Sequence, residues 1–445
     1  MYFNHILIMD ILKLFLACLV VFLLTLSVSS ASDLDEIDDI LQSDYGSFNE
    51  LQNLIDESSE NSIVNLTKDY FSDNNDFPDG VKINKSLTIN GNDHVIDADF
   101  NSRIFDISSS GVVLNNIKFI NGKTASEGGA IYFKNGGFVN NCIFENNFAK
   151  FRGGAIYQIN GNVYNSTFIN NSVPKGDVYG PKNVVLGYGG AIYQKNSSIN
   201  LSTFINNVGF NGGAIQQSGS NIYNSVFIKN SAVDGGAVKQ YGGSTVHGSI
   251  FMDNGYSVDN FLTAYGGAIW QFNNSKIYDS IFIHNCASYG GAVNQMEYSD
   301  VYNSSFVNNS AGYFGGALYQ EDNSNVYNSD FVNNSAEMHG GAIYQDSSSE
   351  VYNSTFENNH AGFGCDDICN RGTAHKNSNN IIQNETDSSF FDNGDLNNFD
   401  ENLNNFNDEL NNHHKFNGVK SKDNTGNPLG LLILVSFVLI TRIKK

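Results

Sequence analysis

Six tyrosines, Tyr164, Tyr223, Tyr278, Tyr302, Tyr327 and Tyr352, each follow Val or Ile and precede Asn or Asp. A row of exposed rings beside amides and carboxylates suits glycans, which stack on a ring face and hydrogen-bond at its edge. These six are the glycan-binding candidates. The same rings can instead pack on one another between neighbouring strands, as sheets favour in any case. Cleavage of a polysaccharide is the other chemistry to weigh. It needs paired carboxylates, or a carboxylate with a strong base. The chain has only four arginines, Arg103, Arg152, Arg371 and Arg442. Asp234, Asp253, Asp279, Asp300 and Asp330 are spread over separate positions of a repeat. Asp253, beside an inserted loop, is the best acidic candidate, and Asp279 could approach it in the same coil. No catalytic residue is assigned, and the chain is expected not to be an enzyme.

Cofactor and metal chemistry find little support. Paired C-x-x-C zinc patterns and D-x-D calcium repeats are absent, so neither a metal nor a cofactor is expected. The exposed His413–His414 pair lies in low-complexity sequence, where such pairs are usually inert. A mature chain would keep Cys142, Cys286, Cys365 and Cys369. Cys365 and Cys369 are close enough to bridge if the turn allows. Cys142 and Cys286 lie more than five coils apart, and are read as buried thiols that cannot bridge. Lys plus Arg number 24 against 46 Asp plus Glu, a net charge of −22. That balance excludes a nucleic-acid partner held through phosphates.

The elements that must position these residues form a repeat. Gly-Gly-Ala recurs nine times, with first glycines Gly128, Gly153, Gly189, Gly212, Gly235, Gly266, Gly290, Gly315 and Gly340. The steps are 25, 36, 23, 23, 31, 24, 25 and 25 residues. In phase with it runs Phe-x-x-Asn, at Phe144, Phe168, Phe204, Phe227, Phe251, Phe282, Phe306, Phe331 and Phe356. After each Gly-Gly-Ala comes Ile, Val or Leu, then a variable residue, then Gln in every copy but the first, which has Phe133. Restricted, variable, restricted is the period of a strand with one buried face. The tyrosine segment and the Phe segment repeat the pattern, so one period holds three short strands joined by turns rich in Gly, Asn and Ser.

A coil of about 24 residues cannot stand alone. Ordering it costs roughly 30 kcal/mol at about 1–2 kcal/mol per residue. Each buried large apolar side chain returns only about 1.5–3 kcal/mol. Neighbouring coils must supply backbone hydrogen bonds and shared burial. The expected fold is therefore all-β, a right-handed single-stranded parallel β-helix with three strands per coil. At about 4.8 Å per strand, roughly twelve coils make a rod on the order of 55 Å long. The double glycine is read as a corner with positive φ, and the turn asparagines as ladders that tolerate left-handed backbone. The longer steps mark loops at 173–188 and 256–265. Twelve N-x-S/T triplets, Asn165, Asn303, Asn308 and Asn353 among them, are weak glycosylation candidates.

The ends set the compartment. Residues 1–31 read as a signal peptide, with an apolar run behind Lys13 and small residues up to Ala31. Residues 32–62 form an N-terminal cap region. There Ser47-Phe48-Asn49-Glu50 is a capping-box pattern, and Phe48, Leu51, Leu54 and Ile55 make one apolar face of a short helix. The repeat domain spans 63–371 and an Asn/Asp-rich linker 372–427. Residues 428–445 form a membrane anchor closed by Arg442, Lys444 and Lys445, which would keep the body outside.

Gly-Gly-Ala-Ile paired with Phe-x-x-Asn resembles the repeat of chlamydial polymorphic outer-membrane proteins, over about residues 119–370. Leu87-Thr88-Ile89-Asn90-Gly91 and the closing Thr425-Gly426-Asn427-Pro428 before an apolar tail resemble adhesin-like surface proteins of methanogenic archaea. The chlamydial proteins end in a barrel, which this chain lacks, and that departure favours the single-helix anchor. The resemblance implies a right-handed β-helix on the cell surface with an adhesive role. The expected function is thus an exported, membrane-anchored rod that attaches to glycans or to surface proteins of other cells. A structural envelope component without a specific ligand, and a polysaccharide lyase or glycosidase on the same β-helix, are the alternatives.

Overall fold

The computed structural model describes residues 45–72, 77–174, 187–255, 264–346, 348–371 and 380–383. Tyr45 excepted, these belong to one compact unit. They form an all-β parallel solenoid of about twelve turns with very little helix. Two twelve-stranded sheets and one fourteen-stranded sheet run its length, each built from strands one coil apart in sequence. Every coil gives one short strand to each sheet. A fourth, four-stranded sheet joins them between Cys286–Tyr289 and His360–Ala361.

Register is fixed by like meeting like. Phe144 pairs with Phe168, Phe168 with Phe204, and so on to Phe331 with Phe356. The rings of Phe119 to Phe356 stack at 4.6–5.0 Å, within 15° of parallel. Gln158 to Gln345 are fully buried, and from Gln158 to Gln320 each donates its Nε2 to Oε1 of the glutamine one coil on at 2.6–3.0 Å. A buried amide needs such partners, because leaving it unpaired costs its full desolvation.

The corners explain the rest of the motif. Turn asparagines do take left-handed backbone, but the Asn of Phe-x-x-Asn is not among them. Positive φ falls one position earlier, at Asn146, Asn170, Asn206, Lys229, Asp253, His284, Asn308, Asn333 and Asn358. The motif asparagine points inward and is buried. From Asn171 to Asn334 its Oδ1 takes the backbone N–H of the preceding motif asparagine at 2.9–3.0 Å. Its Nδ2 donates to the preceding phenylalanine carbonyl at 2.9–3.0 Å. A second corner follows each tyrosine, where a left-handed residue precedes a buried serine. That serine accepts a backbone N–H from the preceding coil and donates to a carbonyl of its own coil, as Ser225 does from Ser202 N and to Tyr223 O. Buried backbone groups at the bends are thus paired by side chains where the ladders stop.

The double glycine divides two tasks, which corrects its reading as one positive-φ corner. Gly212 has φ +69, a left-handed turn. Gly213 is not left-handed; a Cβ there would lie 1.9 Å from the Gly236 carbonyl of the next coil. The first glycine bends the chain and the second lets two backbones touch.

A helix spans Phe48–Glu57, with Ser47 Oγ accepting from Glu50 N at 3.2 Å. Phe48, Leu51 and Ile55 are buried in the interior apolar cluster, and Leu54 packs beside it. The Glu50 carboxylate meets Lys68 at 2.7 Å. At the other end, strand Ile381–Gln383 pairs with Thr355–Glu357, so the Phe sheet continues into the stretch expected as linker. The expected signal peptide, membrane anchor and His413–His414 pair, the rest of the linker, and 175–186 and 256–263 of the two loops lie outside the described residues. Among the described residues, no helix is long and apolar enough to cross a membrane.

Candidate functional site

The tyrosine strands alternate cleanly: Val163, Ile222, Ile277, Val301, Val326 and Val351 are buried, which sets the tyrosines on the outer face. Tyr164 is 45 % exposed and stands apart, because its neighbour in register is Asn200 and not a ring. The other five belong to one continuous stack, completed by His247. Centroids lie 5.2 Å apart for Tyr223–His247, 4.5 Å for His247–Tyr278 and 5.0 Å for Tyr278–Tyr302. Tyr302–Tyr327 and Tyr327–Tyr352 follow at 4.8 and 5.1 Å. The rings of this column pack on one another and still line the outside.

A carboxylate sits beneath the stack. Asp300 takes the Tyr302 hydroxyl at 3.0 Å and the Asn325 N–H at 2.9 Å, and it also meets Lys276. Burial, then the Asp300 charge, pushes the Tyr278, Tyr302 and Tyr327 phenols up. These rings stay neutral hydroxyls that donate and accept.

A second aromatic face lies on the outer side of the Ile/Gln sheet, at positions the sequence showed only as variable. Gln216, Lys239, Trp270, Asn294, Tyr319 and Tyr344 are neighbours in register on successive strands. Lys239 Nζ lies 3.8 Å from the Trp270 ring centre, 3.0 Å from Asp234 and 2.6 Å from Asn211. Burial holds the Lys239 ammonium below its ordinary range, and Asp234 opposes that. Tyr265 stacks on Tyr289 at 5.1 Å, and Tyr289 meets Tyr319 edge-on at 5.6 Å. Tyr319 donates to Glu321 at 2.5 Å. The signal that could have found this face is the chain's one tryptophan, set among Tyr, Lys and Asn in a single column.

The structure does not bring the candidate carboxylates together. Asp253 and Asp279 both sit at left-handed corners, φ 52 and 51, in columns otherwise rich in asparagine. Asp253 follows strand Ile250–Met252, whereas Asp279 precedes Ile281–Ile283 one coil later, at the opposite end of the same sheet. The expectation of one shared coil is corrected accordingly. Asp253 lies 3.7 Å from His284, and Asp279 accepts from Asn303 at 3.2 Å. Among the described residues, no group of three or more His, Cys, Asp or Glu is placed to hold a metal.

The four described cysteines form no disulfide with one another. Cys142 occupies the serine corner: its N–H donates to Ser166 Oγ at 3.1 Å and its Sγ–H to Asn140 O at 3.2 Å. Burial pushes its thiol up to about 12. Cys286 is half-buried, where full burial was expected. The N-x-S/T triplets also acquire a structural origin. In Asn165-Ser166-Thr167 and Asn353-Ser354-Thr355, the asparagine is the left-handed corner and the serine the buried ladder residue. A further apolar cluster missed in the sequence lies on the outer side of the Phe sheet, formed by Ile205, Val226, Ile228, Ile250, Met252, Ile281 and Ile283.

The Chlamydia polymorphic membrane protein repeat matches at residues 141–158, 165–195 and 303–321. No curated protein matches the chain. Among solved structures, a PL6 alginate lyase in complex with trisaccharide is similar at 11 % identity and TM-score 0.49, over 77 % of this chain and 85 % of that one. A mannuronic acid specific family 6 polysaccharide lyase from human gut microbiota is similar at 10 % and 0.47, over 80 % and 93 %. Tailspike protein 3 of bacteriophage CBA120 is similar at 12 % and 0.36, over 80 % and 61 %. The expectation that the chain is not an enzyme is corrected by these neighbours, since polysaccharide lyases stand among the proteins with this architecture. At such identities and TM-scores the likeness assigns no activity to this chain.

Proposed function

We propose that this is an adhesin-like protein, displayed on the cell surface, that attaches to glycans or to other cells through the outer aromatics of a right-handed solenoid. The observation that carries the reading is the unbroken outer stack from Tyr223 to Tyr352. Rings spaced at the strand repeat offer a sugar chain the same contact at every coil, so weak stacking contributions add along the ligand. The matching repeat of a polymorphic membrane protein supports a surface location. In this reading residues 1–31 direct export and residues 428–445 anchor the chain. The helix Phe48–Glu57 covers the first coil, and strand-to-parallel-strand connections give the right hand.

The test incubates the protein with a panel of surface and plant polysaccharides and reads retention and new chain ends in the same samples. Retention is expected, and it should fall at least about tenfold in a Tyr278→Ala, Tyr302→Ala, Tyr327→Ala variant. Equal retention by that variant would remove the tyrosine column from the reading. New chain ends would replace attachment with degradation.

A further inference from the structure

Lys239 stands in the Ile/Gln sheet where nearby coils carry Tyr193, Gln216 and Trp270 in register. Its side chain is 12 % exposed, and that of Asp234 17 %. Lys239 Nζ lies 2.6 Å from Asn211 Oδ1 and 3.0 Å from Asp234 Oδ2, with the Trp270 ring centre 3.8 Å away. Asn211 is buried. Asn211 and Asp234 are bridge partners on adjacent coils, and Gly212 N donates to Asp234 O at 2.8 Å. Backbone pairing therefore holds the carboxamide and the carboxylate side by side, and Lys239 reaches both. As an ion pair alone the arrangement gains little, because desolvating a lysine and a carboxylate offsets most of their attraction.

The three groups are the parts of an amide-forming reaction: an amine, a carboxamide in contact with it, and a carboxylate to carry protons. Burial lowers the Lys239 ammonium from its ordinary range, which eases loss of its proton, and Asp234 opposes that. The contact with Oδ1 puts Asn211 Cγ one bond beyond, so the fold supplies the encounter that two free groups would need. We infer that Lys239 and Asn211 join in an isopeptide bond between adjacent coils, with Asp234 carrying the protons. Asp234 takes a proton from the ammonium, and the Nζ lone pair attacks Asn211 Cγ. The Cγ–Nδ2 bond then breaks as Asp234 returns that proton to Nδ2. Nζ keeps one hydrogen in the new amide, and Nδ2 departs with the two that Nζ gave up, as ammonium. Atoms and charge balance, and the step needs no oxidant and no second reactant. The link would tie two coils covalently where the ladders otherwise hold them by hydrogen bonds.

Mass spectrometry reads the bond directly. The full chain is purified folded, then denatured and digested with trypsin and chymotrypsin, and the peptides holding Asn211 and Lys239 are weighed and fragmented. A branched pair is expected, lighter than the sum of its two peptides by one ammonia, with no tryptic cut after Lys239. Lys239→Arg keeps a cation between Asp234 and Trp270 and should abolish the branched pair. Asp234→Asn should lower its yield at least about tenfold. Asn211 also precedes Gly212, and closure onto the Gly212 nitrogen would release ammonia as well. That product is unbranched and survives Lys239→Arg. Unbranched peptides with cleavage after Lys239, a loss of ammonia that survives Lys239→Arg, or an undiminished branched yield in Asp234→Asn would each overturn the assignment. The peptides of the parent chain alone decide whether the bond exists, so a variant that fails to fold leaves the test intact.

Discussion

Adjacent asparagines in this chain do opposite work, and substitutions should tell them apart. Asn254 is an inward residue: it serves Asn230 N, Asn230 Nδ2, Phe227 O and Asn285 Oδ1. Asn254→Leu strands the Asn230 N–H in the interior. It also takes one partner each from Phe227 O, from Asn230 Nδ2, which keeps Phe204 O, and from Asn285 Oδ1, which keeps the backbone N–H of residue 254. At about 1–3 kcal/mol for the stranded donor, with three further bonds lost, it should cost at least about 2 kcal/mol. A urea unfolding series measures this. The left-handed corners behave in reverse. Leu201 holds φ 52 in a column where Asn165, Asn224, Asn303, Asn328 and Asn353 stand in other coils. A left-handed branched residue costs roughly 1–2 kcal/mol, so Leu201→Asn should stabilise by about 1 kcal/mol, read as a raised midpoint. The sequence showed that asparagine belongs at the turns but not which asparagine does what. Asn146 and Asn147 are the same letter, and only the backbone angle separates the residue that bends from the residue that bonds.

His247 replaces a tyrosine in a strand whose neighbours above and below present Tyr223 and Tyr278. Burial between those rings holds its imidazole below the ordinary range, with the nearby Asp279 charge opposing. The sign follows from linkage. Below about pH 6.5 an unfolded imidazole binds a proton that the folded one resists, so stability must fall as pH drops through that window. His247→Tyr should remove this component, and the midpoints of variant and parent should diverge between pH 7 and pH 5, with the parent losing more. Carboxylates titrate alike in both, so the difference isolates the histidine. The Phe, Ile, Gln and Tyr columns of these strands were legible, because burial constrains one face and repeats its residue types. The outer side of the Ile/Gln sheet was not. Its residues change from Gln216 to Lys239 to Trp270 to Asn294, and a column without a repeated letter looks like tolerance until side chains are placed.

Contact between whole coils depends on the second glycine of each Gly-Gly-Ala. An added Cβ at Gly213 would meet the Gly236 carbonyl at 1.9 Å, and backbone on both sides cannot yield. Gly213→Ala should therefore cost more than the roughly 1–3 kcal/mol of ordinary overpacking, and limited proteolysis should find new cleavage near this coil. Gly243→Ala is the control: φ is +74 but nothing lies within 4 Å, so only about 1–2 kcal/mol of backbone strain is expected. Such contacts recur with little change from one coil to the next. Phe282, Phe306, Phe331 and Phe356 stack alike, as do the asparagines three residues beyond them. A deletion that begins after Phe306 and ends at Phe331 would bring Phe306 and Phe356 face to face, with every class of partner restored. Loss of a single residue would instead turn a buried amide toward the solvent. Height is thus a quantity that unequal recombination can change in whole steps without redesigning any joint, and the solenoid's length can vary while the side chains each coil presents stay the same.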